Sequence, residues 1–323
     1  MMATISETST PPVALVLGAT GAIGSAIAAS LAARGYRIRA LTRIPPKASA
    51  GKFAVDWMAG DCLDEAQVVS AAQGASLIVH AVNPPGYAKW REVGIPMLAN
   101  TIEAAAANGA TILFPANVYV FSPRSGPVVT EVTPMIPETR KGKVRLKMET
   151  MLADAAAHRG VHVIAVRAGD FFGPGVTGSW FAQALAKEGR SATVLRDLCP
   201  PGIGHSWAYV PDLAEAFARL VDRRDTLAPY EMVHFRGHWT DPGRAMTEAV
   251  HRAIGRDALR IKPYPWFVFY LGAPFVRFLR EAIEMLWLWR HPLRLDNSKL
   301  ERLIGPEPHT PLDAAVTETL EGK

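Results

Sequence analysis

Val13-Ala-Leu-Val-Leu-Gly18-Ala-Thr20-Gly21-Ala22-Ile23-Gly24 is the stretch that decides the fold. Val13 to Leu17 are five apolar residues in a row, the pattern of a strand buried on both faces of a parallel sheet. A glycine turn comes at once after it. From Ser25 to Arg34, alanines and larger apolar residues recur at helical spacing. Strand, glycine turn and helix in that order make the start of a dinucleotide-binding unit. Gly18 permits the tight turn, Gly21 lets the backbone approach a pyrophosphate, and Gly24 lets the helix lie close to the strand. Thr20, Ala22 and Ile23 complete the loop, where the helix start offers free N–H groups and a partial positive charge to phosphate oxygens. The spacing is G-x-x-G-x-x-G, not G-x-G-x-x-G. The plain alternative is a glycine-rich strand-to-helix turn with no ligand.

The loop Gly18-Ala-Thr-Gly-Ala-Ile-Gly24 resembles that of the extended and atypical short-chain dehydrogenase/reductases, which include the NAD-dependent epimerase/dehydratases. The resemblance implies an α/β fold: a doubly wound parallel sheet of Rossmann type with a smaller, mixed α/β C-terminal lobe for substrate. It places the dinucleotide-binding domain at 13–166, with a return segment at about 205–235. The smaller lobe takes 167–204 and 236–323. Residues 1–12 are polar and read as a frayed, disordered terminus.

Tyr36 to Leu41 alternates as a second strand and completes a βαβ unit. NAD-specific folds carry an acid about 20 residues beyond the glycines, on the ribose 2′-OH. Here Thr42 and Arg43 stand there, with Lys47 nearby. An arginine attracts a 2′-phosphate that an acid would repel, so NADP(H) is preferred, with NAD(H) the alternative. A solvated loop arginine is the bland reading. Phe53 to Met58 is a third strand, and after it Asp61 matches the family's adenine-contacting aspartate, with Cys62 beside it. Leu63 to Gln73 reads as a helix. Ser76 to Ala81 is a fourth strand that ends at Ala81-Val82-Asn83-Pro84-Pro85, the strand edge where such folds bind ligands. His80 reads as a core histidine. Lys89 to Asn108 is a long helix and Ala110 to Phe114 a fifth strand.

In the resembling family the next segment reads Ser-x-x-Val-Tyr-Gly, and its serine or threonine polarises the substrate carbonyl. Aligning Val118-Tyr119 on it puts Pro115 at the serine, and proline has neither hydroxyl nor N–H. The helix over 138–158 should carry Tyr-x-x-x-Lys. Lys147-Met-Glu149 resembles the family's lysine and the residues after it, and four residues back stands Lys143. On this alignment Lys147 holds the nicotinamide ribose, and Lys143, Tyr119, another side chain or a bound water supplies the proton. A solvated basic face is the alternative. Arg167-Ala-Gly-Asp170-Phe-Phe-Gly-Pro174, after a sixth strand over 161–166, resembles the family's turn against the nicotinamide and brings Asp170 to the cofactor. Gly178 to Gly189 reads as a helix, His205 as a surface-loop histidine, and Asp212 as the N-cap of a helix from Leu213. Thr240 to Gly255 is a further helix. Segments from Leu295 to Leu312 extend the resemblance toward residue 320.

The 323 residues, 49% hydrophobic and 20% charged, can bury a large core. A net charge of +5 with no basic tail suggests anionic ligands rather than nucleic acid. Two cysteines give neither a disulfide framework nor metal spacing, so a reducing, cytoplasmic setting and no metal are expected. No run is long enough for a transmembrane segment. The uncharged aromatic stretch Tyr264 to Val276 reads most plainly as core of the small lobe. It could also cap an apolar substrate, bury a homodimer face or lie on a membrane. Two functions fit these residues. One is an NADP(H)-binding oxidoreductase or epimerase acting on a carbonyl or alcohol of a small molecule, with a non-standard proton donor. The other is a redox-inactive NAD(P)-binding sensor or assembly protein.

Overall fold

The structure is a computed structural model and describes residues 10–46, 53–84, 89–186, 191–256 and 259–322. Lys47, Pro85 and the end of the 178–189 stretch lie outside the described residues, as does most of the 1–12 terminus. The chain begins β1 (Val13–Leu17), α1 (Ala22–Ala32), β2 (Arg37–Thr42), β3 (Val55–Ala59), α2 (Glu65–Ala71), β4 (Ala75–His80) and α3 (Ile95–Asn108). It continues with β5 (Thr111–Asn117), β6 (Val128–Val129), α4 (Arg140–His158), β7 (Val163–Ala168) and β8 (Asp170–Phe172). Then come β9 (Val194–Asp197), β10 (His205–Tyr209), α5 (Val210–Val221), β11 (Tyr230–His234), β12 (His238–Thr240) and α6 (Ala245–Ile254). The last elements are β13 (Arg260–Pro263), α7 (Trp266–Gly272), α8 (Arg277–Ile283), β14 (Arg294–Leu295), α9 (Ser298–Ile304) and α10 (Leu312–Glu321).

Seven parallel strands form the main sheet in the order β11-β7-β5-β4-β1-β2-β3. The order reverses at β1, so a crevice opens between the C-terminal ends of β1 and β4. Two apolar layers cover the sheet. Leu15, Leu17, Ile78, Phe114 and Leu152 pack on one face, and Val16, Ile27, Val79, Phe217 and Val233 on the other. The doubly wound fold expected from the sequence is present. α5 and β11 return to the main sheet, but β10 does not: it pairs with β8 and β12 in a separate three-stranded sheet. α9 also comes back, with Leu300 in the second apolar layer.

Several boundaries differ from expectation for physical reasons. β5 runs on through Pro115 to Asn117: its pairing with β4 ends at Leu113, opposite Val79, and from there it pairs with β7 alone. A proline thus costs nothing on the β4 side. The helix at 89–108 starts as a wide π turn over Trp90–Gly94 before α3. Among its described residues, the stretch after Gly178 forms a π turn at Phe181–Leu185. α6 begins at Ala245, not near Thr240, which is in β12. Asp212 is no N-cap: α5 begins at Val210, and Asp212 is buried in its first turn. Its carboxylate accepts from the Thr310 N–H at 2.7 Å and hydroxyl at 2.8 Å, pinning the C-terminal segment to the main domain. The aromatic stretch divides. Trp266 and Phe269 pack beside Trp180, while Phe267, Leu271 and Phe275 are exposed.

His80 is a core histidine, its Nδ1 2.8 Å from the Thr101 hydroxyl. Burial and the nearby Arg145 push its pKa down to about 3. Burial and Arg167 push His234 down to about 3, and burial and His309 push His238 down to about 4. Unfolded histidine titrates near about 6.5. Between that value and the depressed ones the unfolded chain binds more protons, so stability is full above the window and is lost as pH falls through it. The urea midpoint should therefore drop from pH 7.5 to pH 5, with a smaller drop in His80→Gln. A midpoint that stays level or rises on acidification contradicts this.

Candidate active site

The glycine loop shows why each small residue is there. Gly18 has φ +96°, and a Cβ on it would sit 2.6 Å from the Ala81 carbonyl oxygen. A Cβ on Gly24 would fall 2.2 Å from the Gly18 carbonyl oxygen. Gly18 and Gly24 are thus required by the protein's own packing. At Gly21 a Cβ would meet nothing closer than 3.4 Å. Its bareness instead leaves room for whatever approaches α1, whose N-terminus at Ala22 and Ile23 has no side-chain cap.

A cleft of about 310 Å³ opens over this loop. Gly18, Thr20, Gly21, Thr42, Arg43, Asp61, Cys62, Ala81, Val82 and Asn83 line it together. Three strand ends, those of β2, β3 and β4, supply these walls. Arg43 is exposed at its rim. The Asp61 turn is fixed locally: its carboxylate accepts from the Leu63 N–H at 3.0 Å, and its own N–H donates to Gln67 Oε1 at 2.8 Å. Burial pushes the Cys62 thiol up to about 11, so it stays protonated as a wall group. Ala22, Ile23 and Gly24 sit behind the lining rather than on it, and neither Lys147 nor Asp170 borders this cleft.

Beyond Asn83 the site is built by α4. Thr139 caps it by accepting from the Gly142 N–H at 2.9 Å. Gly142 lets the first turn lie against the loop after β5, because a Cβ there would be 2.2 Å from the Tyr119 carbonyl oxygen. The buried face of α4 carries Lys141, Arg145, Met148, Glu149 and Leu152. Lys143 and Lys147 are exposed. Lys143 and Lys147, expected at the nicotinamide end, thus face outward, and the inward-facing pair of the same spacing, Lys141 and Arg145, lies two residues earlier. The two exposed lysines border an outer groove of about 780 Å³, with Lys89, Arg91 and Arg140.

The register of α4 is set by a buried ion pair. Arg167, at the end of β7, donates to Glu149 at 2.7 and 3.0 Å and to the Asn117 carbonyl at 2.5 Å. One turn earlier, Arg145 donates to Asn83 Oδ1 at 3.0 Å. Its guanidinium lies 4.8 Å from the Trp90 ring centre and 5.7 Å from that of Phe114. One turn earlier again, Lys141 turns away to α8. It donates to the Glu281 carboxylate at 2.5 Å, and Glu284 caps the start of α4 by accepting from the Arg140 and Lys141 N–H groups.

Tyr119 is buried, 6.3 Å from the Trp90 ring, and lines a small apolar pocket with Trp180 and Met285. Pro115 is buried within β5. His205 is not a surface-loop residue: it is buried in β10, stacked 4.0 Å from Trp289, with Nε2 2.8 Å from Asp170 Oδ2. That contact engages Asp170 within the lobe, away from the lined cleft. Sequence reading missed Arg145, Lys141 and Trp90. The signal was the spacing 141-145-149, which keeps one helical face.

The chain matches the NAD-dependent epimerase/dehydratase family over residues 14–234. It belongs to that family. A curated relative, 3-diazoavenalumate denitrifying reductase from a Streptomyces species, is 29% identical over 181 residues. Those residues are 50% of this chain and 57% of that protein, so the match spans little more than half the relative's length. UDP-glucose 4-epimerase from Bifidobacterium longum, solved with NAD+ and UDP, is 17% identical over 96% of this chain and 97% of its own, with a TM-score of 0.74. A dTDP-glucose 4,6-dehydratase double mutant from Streptomyces venezuelae, with NAD and DAU bound, is 15% identical over 96% of both chains, also at 0.74. At such identities the likeness establishes the fold alone.

The ion pair under α4 yields a test. Arg167→Met leaves Glu149 buried without its partner, and breaking such a pair costs about 3–5 kcal/mol. The double variant Arg167→Met, Glu149→Met removes both charges and should recover most of that loss. Urea unfolding measures both. A single variant as stable as wild type would show that the pair does not hold α4.

Proposed function

We propose that this chain is an NADP(H)-dependent reductase whose substrate is a small, negatively charged carbonyl compound. The observation that carries the reading is Arg145, buried on the inward face of α4, 3.0 Å from Asn83 at the end of β4. The resembling family uses a tyrosine and a lysine four apart on this helix. Inward-facing positions four apart here are Lys141 and Arg145, and glutamates of α8 hold the first. The reacting region is thus served by a cation that does not give up a proton at working pH.

When bound, the cofactor supplies a hydride. Arg145 stabilises the negative charge that develops on the substrate oxygen as the carbonyl carbon is reduced, acting through a fixed charge in a site shielded by Trp90. The proton that completes the alcohol comes from water, with hydroxide left behind. Asn83 orients the Arg145 guanidinium, and Pro115 offers no hydroxyl to compete. The choice of reduction over epimerisation is supported by the curated relative, which is named a reductase. The anionic substrate is supported by Lys89, Arg91, Arg140, Lys143 and Lys147 around the outer groove. Arg43 favours the 2′-phosphate of NADP(H), since no acid lines the cleft at the end of β2.

Two experiments test the reading. Arg43→Ala removes a charged hydrogen-bond donor of about 1.5–3 kcal/mol, so NADPH affinity should fall about 10- to 100-fold with NADH affinity unchanged. Equal wild-type affinities for NADPH and NADH refute the preference. With a carboxylate-bearing ketone or aldehyde as acceptor, Arg145→Met should lower kcat by about 100- to 1,000-fold and Arg145→Lys should restore part of it. The wild-type kcat should be level between pH 6 and 9. A limb that reports a titrating acid in that range, or full turnover in Arg145→Met, overturns the role.

A further inference from the structure

Among the described residues, six of the twelve exposed large apolar side chains lie in one short stretch. Phe267, Val268, Tyr270, Leu271, Phe275 and Val276 are all exposed, with Leu271 at 71% and Phe275 at 87%. They sit on α7 and the turn into α8. The inner side of α7 is accounted for: Trp266 and Phe269 pack on Trp180, and the Trp266 indole donates to the Leu198 carbonyl at 3.3 Å. The outer side is left largely in solvent. A contiguous apolar patch of this kind marks an interaction surface.

Its charge surroundings point to one occupant. From Leu259 to Arg280 the sequence holds no acidic residue. Exposed Arg260 and Lys262 precede the patch in the chain and exposed Arg280 and Arg290 follow it, and the Arg290 guanidinium lies over the Tyr270 ring at 5.7 Å. The first acids after the patch, Glu281 and Glu284, turn inward to Lys141 and α4. The rim is therefore basic and its acids are spent elsewhere. A two-fold dimer through this patch would set the same basic rim against itself. No helix among the described residues is long and apolar enough to cross a membrane. Aromatic and aliphatic groups on one side of a short helix, ringed by arginine and lysine, match the interface of an anionic bilayer.

We propose that the α7–α8 hairpin docks on the surface of an anionic lipid bilayer, with Phe267, Leu271 and Phe275 inserted among the headgroups. The docked hairpin is the one that holds the start of α4 through Glu281 and Glu284, so docking sets the active-site cleft beside the bilayer. The outer groove that Glu281 borders then lies near a source of substrates with an apolar part. The docking surface does not depend on the reductase reading, since its test requires no turnover.

The full chain should sediment with vesicles of phosphatidylglycerol and phosphatidylcholine and stay in solution with phosphatidylcholine alone. Phe267→Ser, Leu271→Ser, Phe275→Ser together should lower binding at least about tenfold while the melting temperature of the chain is kept. Arg280→Glu with Arg290→Glu should lower it about tenfold or more, and high salt should weaken the wild type. No sedimentation with anionic vesicles overturns the proposal. So does a wild-type dimer, by light scattering, that the serine variant turns into a monomer. So does vesicle binding that survives the serine variant.

Discussion

A buried arginine–carboxylate pair decides what this site can do. Arg167 reaches from the end of β7 to Glu149 on α4 and to the backbone at the end of β5. Three elements meet at that guanidinium, and none can rotate without leaving a charge unpaired in the core. The pair thereby selects the face of α4 that looks inward. Arg145 lies one turn from Glu149, and Lys141 two. Arg145 is brought to the strand ends and Lys141 to α8.

Much of this is legible in the sequence. The apolar run and the glycines announce the βαβ start, and ten of the residues expected around the cofactor line one cleft. They are readable because strand ends and tight turns depend on local chemistry: a positive φ at Gly18, a close approach at Gly24, the missing acid after β2. The catalytic end is less readable. Lys143 and Lys147 are four apart just as Lys141 and Arg145 are, so helical spacing alone gives two candidate pairs. Only the long-range partner of Glu149, 18 positions on in β7, chooses between them. His205 and Asp212 escape a local reading for a related reason. Each is fixed by partners far along the chain, His205 by Asp170 and Trp289, Asp212 by Thr310.

Part of the chain's basic charge meets at the outer groove. Lys89 and Arg91 on one wall of the outer groove face Arg140, Lys143 and Lys147 on the other. Like charges so arranged oppose folding; among the described residues Glu92 lines the groove and Glu281 and Glu284 lie near Arg140. A groove that keeps such repulsion is suited to an anionic ligand. Glu281 of α8, which holds Lys141, also borders this groove, so the outer groove and the exposed apolar patch share the α7–α8 hairpin.

The most direct test of the account is a crystal structure with NADPH bound. The account predicts the 2′-phosphate on Arg43, the pyrophosphate at Gly21 and the start of α1, and the nicotinamide end flanked by Asn83 and Arg145, with Lys143 and Lys147 in solvent. A nicotinamide ribose held by Lys147, with Arg145 turned away, would contradict it.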